Sequence, residues 1–219
     1  MSLENIYWPD IVKGLSQTLA MVGGALFLTV LIGLPLGVLL FLTGRKQMFD
    51  QPLFYGALSV VIGVIRSLPF IILLIVLMPV TVLVTGTSLG IRGVIFPLVV
   101  GTAPFFARLV ETALREVDPG IIEASEAIGA TTAQTIVRAV LPEALPSLAA
   151  AVTVTAIVLV DYTAMSGAIG GGGLGDLAIR YGYQRFQTEI MLVCVGILVI
   201  LVQLIQASGN HLVIRFSRK

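Results

Sequence analysis

The chain has 219 residues, of which 57% are hydrophobic and only 11% are charged. A typical soluble domain carries roughly 25% charged residues, because its large surface must stay hydrated. This composition argues against a soluble enzyme and excludes intrinsic disorder. The 13 basic and 12 acidic residues nearly cancel to a net charge of +1, so the chain offers no basic surface for nucleic acid.

Cysteine and histidine are scarce in this sequence. The one cysteine, Cys194, lies in an apolar run, and the one histidine, His211, lies close to the C-terminus. A disulfide framework needs paired cysteines, and a zinc site or a Cys–His nucleophile needs several such side chains together. The sequence therefore predicts no disulfide, no metal site and no covalent chemistry on this chain.

Five segments are long and apolar enough to cross a bilayer, since a spanning helix needs about 20 mostly apolar residues. They predict an all-α membrane protein that forms a single domain over residues 1–219. Arg66 interrupts the second segment, where we expect it to reach the membrane interface or to pair within the bundle. In chain order, the predicted spans cover residues of about 14–44, 53–80, 90–110, 145–166 and 190–209.

The basic residues predict how the chain is oriented in the membrane. Five spans place the two termini on opposite sides, and the side that is richer in Lys and Arg is expected to be cytoplasmic. One side collects eight basic residues: Arg45, Lys46, Arg108, Arg115, Arg138, Arg215, Arg218 and Lys219. The other side collects four: Lys13, Arg92, Arg180 and Arg185. We therefore expect an inner-membrane protein with its N-terminus outside and its C-terminus inside.

The loop at residues 115–147, between the third and fourth spans, carries signals for two short helices. Asp118 is a favourable N-cap, and Pro119 suits the first helical position. Gly129 is a typical helix stop, and Thr131 and Gln134 have the spacing of a capping box for the second helix. The loop is thus expected to be structured on the cytoplasmic side.

The first of these loop helices has an acidic face. Helical spacing places Ile121, Ser125 and Ile128 on one face, and Glu123 and Glu126 on the opposite face. One interpretation is an interfacial helix on the lipid headgroups. Anionic lipid on the cytoplasmic leaflet repels carboxylates, however, so the acidic face favours docking on a protein surface that carries Arg or Lys.

The same loop resembles the EAA loop of ABC-importer permeases, whose pattern is Glu-Ala-Ala, three residues, Gly, nine residues, then Ile-x-Leu-Pro. The spacing is intact, with Ser125 in place of the second Ala and Ala139 in place of Ile. The segments RSLPFIILL, VGTAPFFARLVETAL and GGGGLGDLAIRYGYQRF are similar to the methionine-importer permeases, and the likeness covers nearly the whole chain. The residues that match the loop pattern are Glu123, Ala124, Ser125, Gly129, Leu141 and Pro142.

The resemblance implies a type I ABC importer permease fold with five spans and a cytoplasmic coupling helix. It implies a homodimer, two copies of an ABC ATPase at the cytoplasmic side and an external substrate-binding protein, with methionine as the transported solute. Glu123 would face a basic residue of the ATPase, and Gly129 would permit the turn between the loop helices. ATP and Mg would bind to the ATPase and no cofactor to this chain, which contains no G-x-x-x-x-G-K-[ST] motif.

Two other functions stay open on the sequence. Another small amino acid could be the substrate of the same architecture. A membrane-embedded enzyme would need ionisable residues that converge inside the spans, and only Asp161 and Arg66 qualify.

Residues 170–175, GGGGLG, contain a formal G-x-G-x-x-G pattern. A dinucleotide site would need a β-strand before this pattern and an α/β context around it, and the sequence predicts neither. We expect instead a tight loop on the outer side, between the fourth and fifth spans, where glycine lets backbone segments pack closely.

Asp161 and Met165 lie one helical turn apart in the fourth span. Asp161 is either a carboxyl paired between helices or a pathway residue that meets the amino group of a passing amino acid. Met165 either packs in the core or closes the pathway as an apolar plug, and the resemblance to the gate region of the family favours the gate. At the inner end of the third span, we expect Arg108 and Glu111 to form a local ion pair.

Overall fold

The computed structural model describes residues 7–44 and 48–217, and every regular element in these two ranges is a helix. The predicted all-α class is thereby confirmed. The helices are α1 (Trp8–Thr43), α2 (Pro52–Ser67), α3 (Phe70–Thr85), α4 (Gly90–Arg115), α5 (Pro119–Ala127), α6 (Thr132–Thr135), α7 (Leu141–Glu143), α8 (Leu145–Ser166), α9 (Gly173–Leu177) and α10 (Thr188–Ser217). Two π-helical segments, Ile136–Val140 and Ala178–Tyr183, continue α6 and α9.

Four of the described helices, α1, α4, α8 and α10, are long and apolar enough to cross a membrane. The predicted second span, residues 53–80, is not one continuous helix, because α2 and α3 meet at an angle of 106°. The cause lies in Pro69, which lacks an N–H group and disfavours helical geometry at the residue before it. Leu68 accordingly adopts an extended conformation with φ −81° and ψ 129°. Counted as one span, the bent pair makes up to five crossings.

The bundle has two distinct ends. The glycine end contains the turn at residues 170–173, and the loop end contains α5, α6 and α7. The helices α1, α4 and α10 run from the glycine end to the loop end, α8 runs in the opposite direction, and the bent pair returns the chain from α1 to α4. The third predicted span extends further than expected, since α4 continues to Arg115.

The two largest of four hydrophobic clusters in the described residues lie one in each half of the bundle. The glycine-half core is built from Met21, Val22, Ala25, Phe70, Leu74, Val94, Leu98, Val99, Ala103, Leu159 and Val160. The loop-end core is built from Phe41, Phe106, Val110, Leu114, Val117, Ile136, Val140, Ala144 and Ala151.

Helices α1 and α4 form the most extensive contact between two helices in the described residues. Gly33 and Gly37 lie one turn apart on α1 and face α4. A Cβ atom on Gly37 would lie 2.5 Å from the Cβ of Val110 and 2.7 Å from the carbonyl oxygen of Ala107. Small residues at this spacing allow two membrane helices to approach until their backbones touch.

We predict that Gly37→Ala destabilises the protein, whereas Gly23→Ala on the same helix does not. The added methyl group of Gly37→Ala must push α1 away from α4, which costs about 1–3 kcal/mol. A Cβ on Gly23 would meet nothing within 4 Å. Thermal unfolding of the detergent-solubilised protein measures both, and equal midpoints for the two variants would contradict this account of the helix contact.

Candidate functional site

Local capping fixes where the loop-end helices begin, and both predicted caps are confirmed. The side chain of Asp118 accepts a 2.7 Å hydrogen bond from the backbone N–H of Gly120 at the start of α5. Thr131 accepts from the backbone N–H of Gln134, and the side chain of Gln134 accepts from the backbone N–H of Thr131. These bonds satisfy donors that a helix start otherwise leaves unpaired.

Gly129 ends α5 as the sequence predicts. Its φ of +76° is in the left-handed region, which a side chain strains. Its N–H donates to the carbonyl of Glu126 at 2.9 Å, and the N–H of Ala130 donates to the carbonyl of Ser125 at 3.0 Å. This pair of bonds is a Schellman motif, and it turns the chain sharply from α5 toward α6.

Helix α5 lies with one face on the bundle and the other in the open. Ile121 and Ile122 pack against the loop-end core, whereas Glu123 and Glu126 are exposed as predicted. Helical spacing places Ile128 on the same face as Ile121 and Ser125, but Ile128 is 85% exposed. Helix α5 ends at Ala127 and the chain turns at Gly129. Ile128 therefore lies beyond the helix and does not pack on the loop-end core as Ile121 does.

The exposed residues of this segment form what we call the loop-end surface. It places an unburied isoleucine beside two carboxylates, on a helix without any Lys or Arg. An apolar anchor flanked by charges of one sign is suited to a protein partner of the opposite charge. The members of the loop-end surface are Glu123, Ala124, Glu126, Ala127, Ile128 and Gly129.

The two ends of the loop are hydrogen-bonded to each other where they meet the long helices α4 and α8. The hydroxyl of Ser147 near the start of α8 donates a 2.8 Å hydrogen bond to Glu116 at the end of α4. Leu141 packs against the loop-end core, whereas Pro142 is exposed. Of the predicted coupling residues, Leu141 therefore supports the loop from beneath, while Glu123, Ala124 and Gly129 lie on its surface.

A buried charge cluster at the loop end extends the predicted pair of Arg108 and Glu111. That pair is confirmed, with 2.6 Å between Arg108 Nη1 and Glu111 Oε2. Glu111 is only 4% exposed, and its other oxygen accepts from Arg115 and from the hydroxyl of Tyr55, each at 2.9 Å. The spacing of Glu111 and Arg115 could have indicated their contact. Tyr55 is 56 positions away and left no local signal.

The two predicted pathway residues of α8 do not line one cavity. Asp161 is exposed and lines a cavity of about 290 Å³ against α10, together with Val160, Leu198 and Gln203. Met165 is partly buried and packs against the glycine-half core. One turn of helix separates the two side chains along α8, but their surroundings differ.

The glycine end has the tight loop that residues 170–175 predict. The N–H of Gly173 donates to the side chain of Gln17, and the N–H of Leu174 donates to Thr18, each at 3.0 Å. The N–H of Gly90 donates to the carbonyl of Gly170. Polar side chains of α1 thus cap the short helix α9, and helices surround the formal dinucleotide pattern in the described part of the chain.

Comparisons with known proteins agree with this arrangement. The "Probable D-methionine transport system permease protein MetI" of Vibrio cholerae is 45% identical over 203 residues, which are 93% of this chain and 90% of that protein. The "Methionine import system permease protein MetP" of Bacillus subtilis is 44% identical over 172 residues, 78% of each chain.

Solved structures show the same fold. A chain from "Inward facing conformations of the MetNI methionine ABC transporter" has a TM-score of 0.95 and 46% identity, with 99% of each chain covered. An amino acid ABC transporter chain has a TM-score of 0.77 over 95% of each chain, and at 21% identity it supports the fold alone.

The family described as "Binding-protein-dependent transport system inner membrane component" matches residues 33–218. This match includes the loop, the buried charge cluster and all the long helices except the first part of α1. The resemblance seen in the loop motif is thereby confirmed, and the chain belongs to the family of inner-membrane components of binding-protein-dependent transport systems.

Proposed function

We propose that this chain is the permease subunit of an ATP-driven importer that moves methionine across the inner membrane by alternating access. The main support is the 46% identity and 0.95 TM-score, over nearly all of both chains, to the permease fold of a methionine ABC transporter. The chain is a transport subunit, so the alternative of a membrane-embedded enzyme is not retained. Import of another small amino acid stays the alternative, because the relatives' names alone supply the substrate.

The partners follow from the two ends of the bundle. Two copies of the chain form a homodimer around the pathway, and its five spans act as one membrane domain. Two copies of an ABC ATPase, which binds ATP and Mg, dock at the loop end. A substrate-binding protein docks at the glycine end.

The orientation that fits these partners places the N-terminus outside and the C-terminus inside. The loop end carries Arg108, Arg115, Arg138 and Arg215, and the glycine end carries Lys13, Arg92, Arg180 and Arg185. The other four cations expected inside, Arg45, Lys46, Arg218 and Lys219, lie outside the described residues and supply the excess.

The loop-end surface is the part of this chain that couples ATPase movement to the spans. Glu123 and Glu126 attract a basic surface of the ATPase, and Ile128 provides an apolar anchor between the two proteins. Ile121 and Ile122 pack α5 on the loop-end core. The hydrogen bond of Ser147 to Glu116 joins α8 to α4 where the loop begins and ends, so a displacement of α5 is passed to both helices. Ala124, Ser125 and the Leu141-Pro142 pair complete this coupling segment.

Reversal of one surface charge tests the docking role. Glu123→Lys should weaken co-purification of the ATPase and lower methionine uptake, because like charges across an interface repel. Membrane insertion and dimer yield should stay normal, since Glu123 is exposed and makes no internal bond that the structure shows. Glu189→Lys, at the opposite end of the bundle, is the control for ATPase recovery alone, which it should leave unchanged. Wild-type ATPase recovery with Glu123→Lys would contradict the docking role.

The turn at Gly129 offers a second test, in which only backbone geometry is altered. A Cβ at Gly129 would meet nothing within 4 Å, so a substitution there is strained by the φ of +76° alone. Gly129→Val should therefore cost about 1–2 kcal/mol at the turn and uncouple ATP hydrolysis from uptake. Gly129→Asn, which tolerates this conformation, should retain most of the coupling.

ATPase rate and uptake, measured together in proteoliposomes, give the coupling ratio for both Gly129 variants. The same ratio for the Val and Asn variants would show that the left-handed turn has no part in coupling.

We assign the pathway roles to Met165 and Asp161. Met165→Ala should let small solutes leak without ATP, because the apolar plug near the glycine end is shortened. Asp161→Asn should change transport without lowering dimer yield, since its carboxylate is exposed in the protomer and bonds to no described residue. Passive leak and uptake in proteoliposomes measure both effects. A tight Met165→Ala membrane, with an Asp161→Asn variant defective only in yield, would assign both residues to packing.

A further inference from the structure

Arg66 is a cation that lies partway along the bundle, and its side chain is exposed in the protomer. It lies in the last turn of α2, next to the break that separates α2 from α3. Its guanidinium carbon is 5.5 Å from the centre of the Phe105 ring. Phe105 is ten residues before the end of α4, a distance of about 15 Å along the helix axis. The charge therefore lies about 15 Å from the end of α4, beside the membrane-spanning part of that helix.

No carboxylate neutralises Arg66 within residues 7–44 and 48–217. The ion pairs in these ranges join Arg108 and Arg115 to Glu111, and Arg180 to Asp176. The sequence predicted that Arg66 would reach the interface or pair in the bundle, and the structure shows instead a contact with an aromatic face. A cation at the depth of a membrane span faces protein or a water-filled cavity and marks a solute pathway, so the exposed guanidinium of Arg66 is a candidate ligand group.

A cavity of about 250 Å³ opens directly beside this guanidinium. Its walls include Arg66, Phe105, Phe70 and Tyr162, with Gly101 leaving room between them. The rings of Phe70 and Tyr162 are stacked with centroids 4.1 Å apart and planes 7° from parallel. Phe70 is buried beneath this stack, so the aromatic surface that a solute can contact comes from the half-buried rings of Phe105 and Tyr162.

The start of α3 adds positive potential to the same cavity. The carbonyl of Pro69 accepts from the N–H groups of Ile72 and Leu73, and no side chain caps the helix. The N–H groups of Phe70 and Ile71 therefore lie outside the helical ladder. A helix start of this kind stabilises negative charge, so it favours the binding of an anionic group, as Arg66 does.

We propose that this cavity binds an α-amino acid on its way through the permease, with Arg66 holding the carboxylate and the aromatic wall holding the apolar side chain. The inference rests on the proposed function for the amino-acid cargo. The cavity volume of about 250 Å³ lies just below the range of about 300–1,000 Å³ typical of small-molecule sites, which suits a small solute such as methionine. Asp161 lines a separate cavity and takes no part in this site.

The test compares methionine with methioninamide, which keeps the side chain but lacks the carboxylate. Both are bound to the purified permease–ATPase complex in detergent, without the binding protein, so that only the permease selects between them. Charge-assisted hydrogen bonds to a carboxylate should make wild type prefer methionine by about 10- to 100-fold. Arg66→Gln should lose this preference by weakening methionine alone, and Arg66→Lys should retain part of it.

Arg92→Gln is the matched control, because Arg92 lies at the glycine end, away from the cavity, and the preference should persist. Equal weakening of both ligands by Arg66→Gln, or no methionine binding to wild type at millimolar concentration, would overturn the proposal. A loss of dimer yield with an unchanged preference would also overturn it, and would indicate that Arg66 pairs with a second copy of the chain or with lipid phosphate.

Uptake of methionine by the wild-type importer, measured separately with the binding protein, keeps the two proposals distinct. Uptake without an Arg66-dependent preference refutes the cavity and leaves the importer function standing. An Arg66-dependent preference without uptake upholds the cavity and refutes methionine import.

Discussion

The absence of water from the bilayer core constrains this structure more than any other condition. Each backbone N–H and C=O at membrane depth must find a partner inside the protein or face a wet cavity, because an unpaired group costs several kcal/mol in hydrocarbon. Long helices meet this requirement along α1, α4, α8 and α10. The break at Leu68–Pro69 is the exception, and the residues on either side of Pro69, Leu68 and Phe70, line the cavity beside Arg66.

The same constraint explains how polar side chains inside the bundle are arranged. The hydroxyls of Thr29 and Thr102 bond to each other at 2.7 Å across the contact of α1 with α4, and Thr102 also donates to the carbonyl of Leu98. Glu111 is enclosed by two arginines and the Tyr55 hydroxyl. The threonine pair joins α1 to α4 in the middle of the bundle, and the Glu111 cluster joins α2 to α4 at the loop end.

Signals that act over a few residues were predictable from the sequence. The cap at Asp118, the capping box at Thr131 and the stop at Gly129 each depend on neighbours within a turn, and all three are present. The helical structure of the long apolar segments could also be predicted, because about twenty consecutive apolar residues are typical of a membrane-spanning helix.

Features that depend on contacts between residues far apart in the sequence could not be predicted. A proline alone did not predict the bend at Pro69, because Pro35 and Pro97 lie inside continuous helices. The exposure of Ile128 depends on where the core ends beneath α5, and the contact of Tyr55 with Glu111 joins distant positions. In each case the outcome depends on residues that are close in space but distant in the sequence. The spacing of residues along the chain does not reveal such contacts.

The length of α1 has a consequence for how this protein responds to its lipid. With 36 residues, α1 is about 54 Å long, whereas the hydrocarbon layer is about 30 Å thick. The helix must therefore tilt or extend beyond the acyl chains, and the exposed aromatic rings of Tyr7 and Trp8 at its start are suited to the headgroup region. Hydrophobic mismatch then acts on α1 directly, and through the close contact with α4 a thinner or thicker bilayer alters the tilt of both helices together.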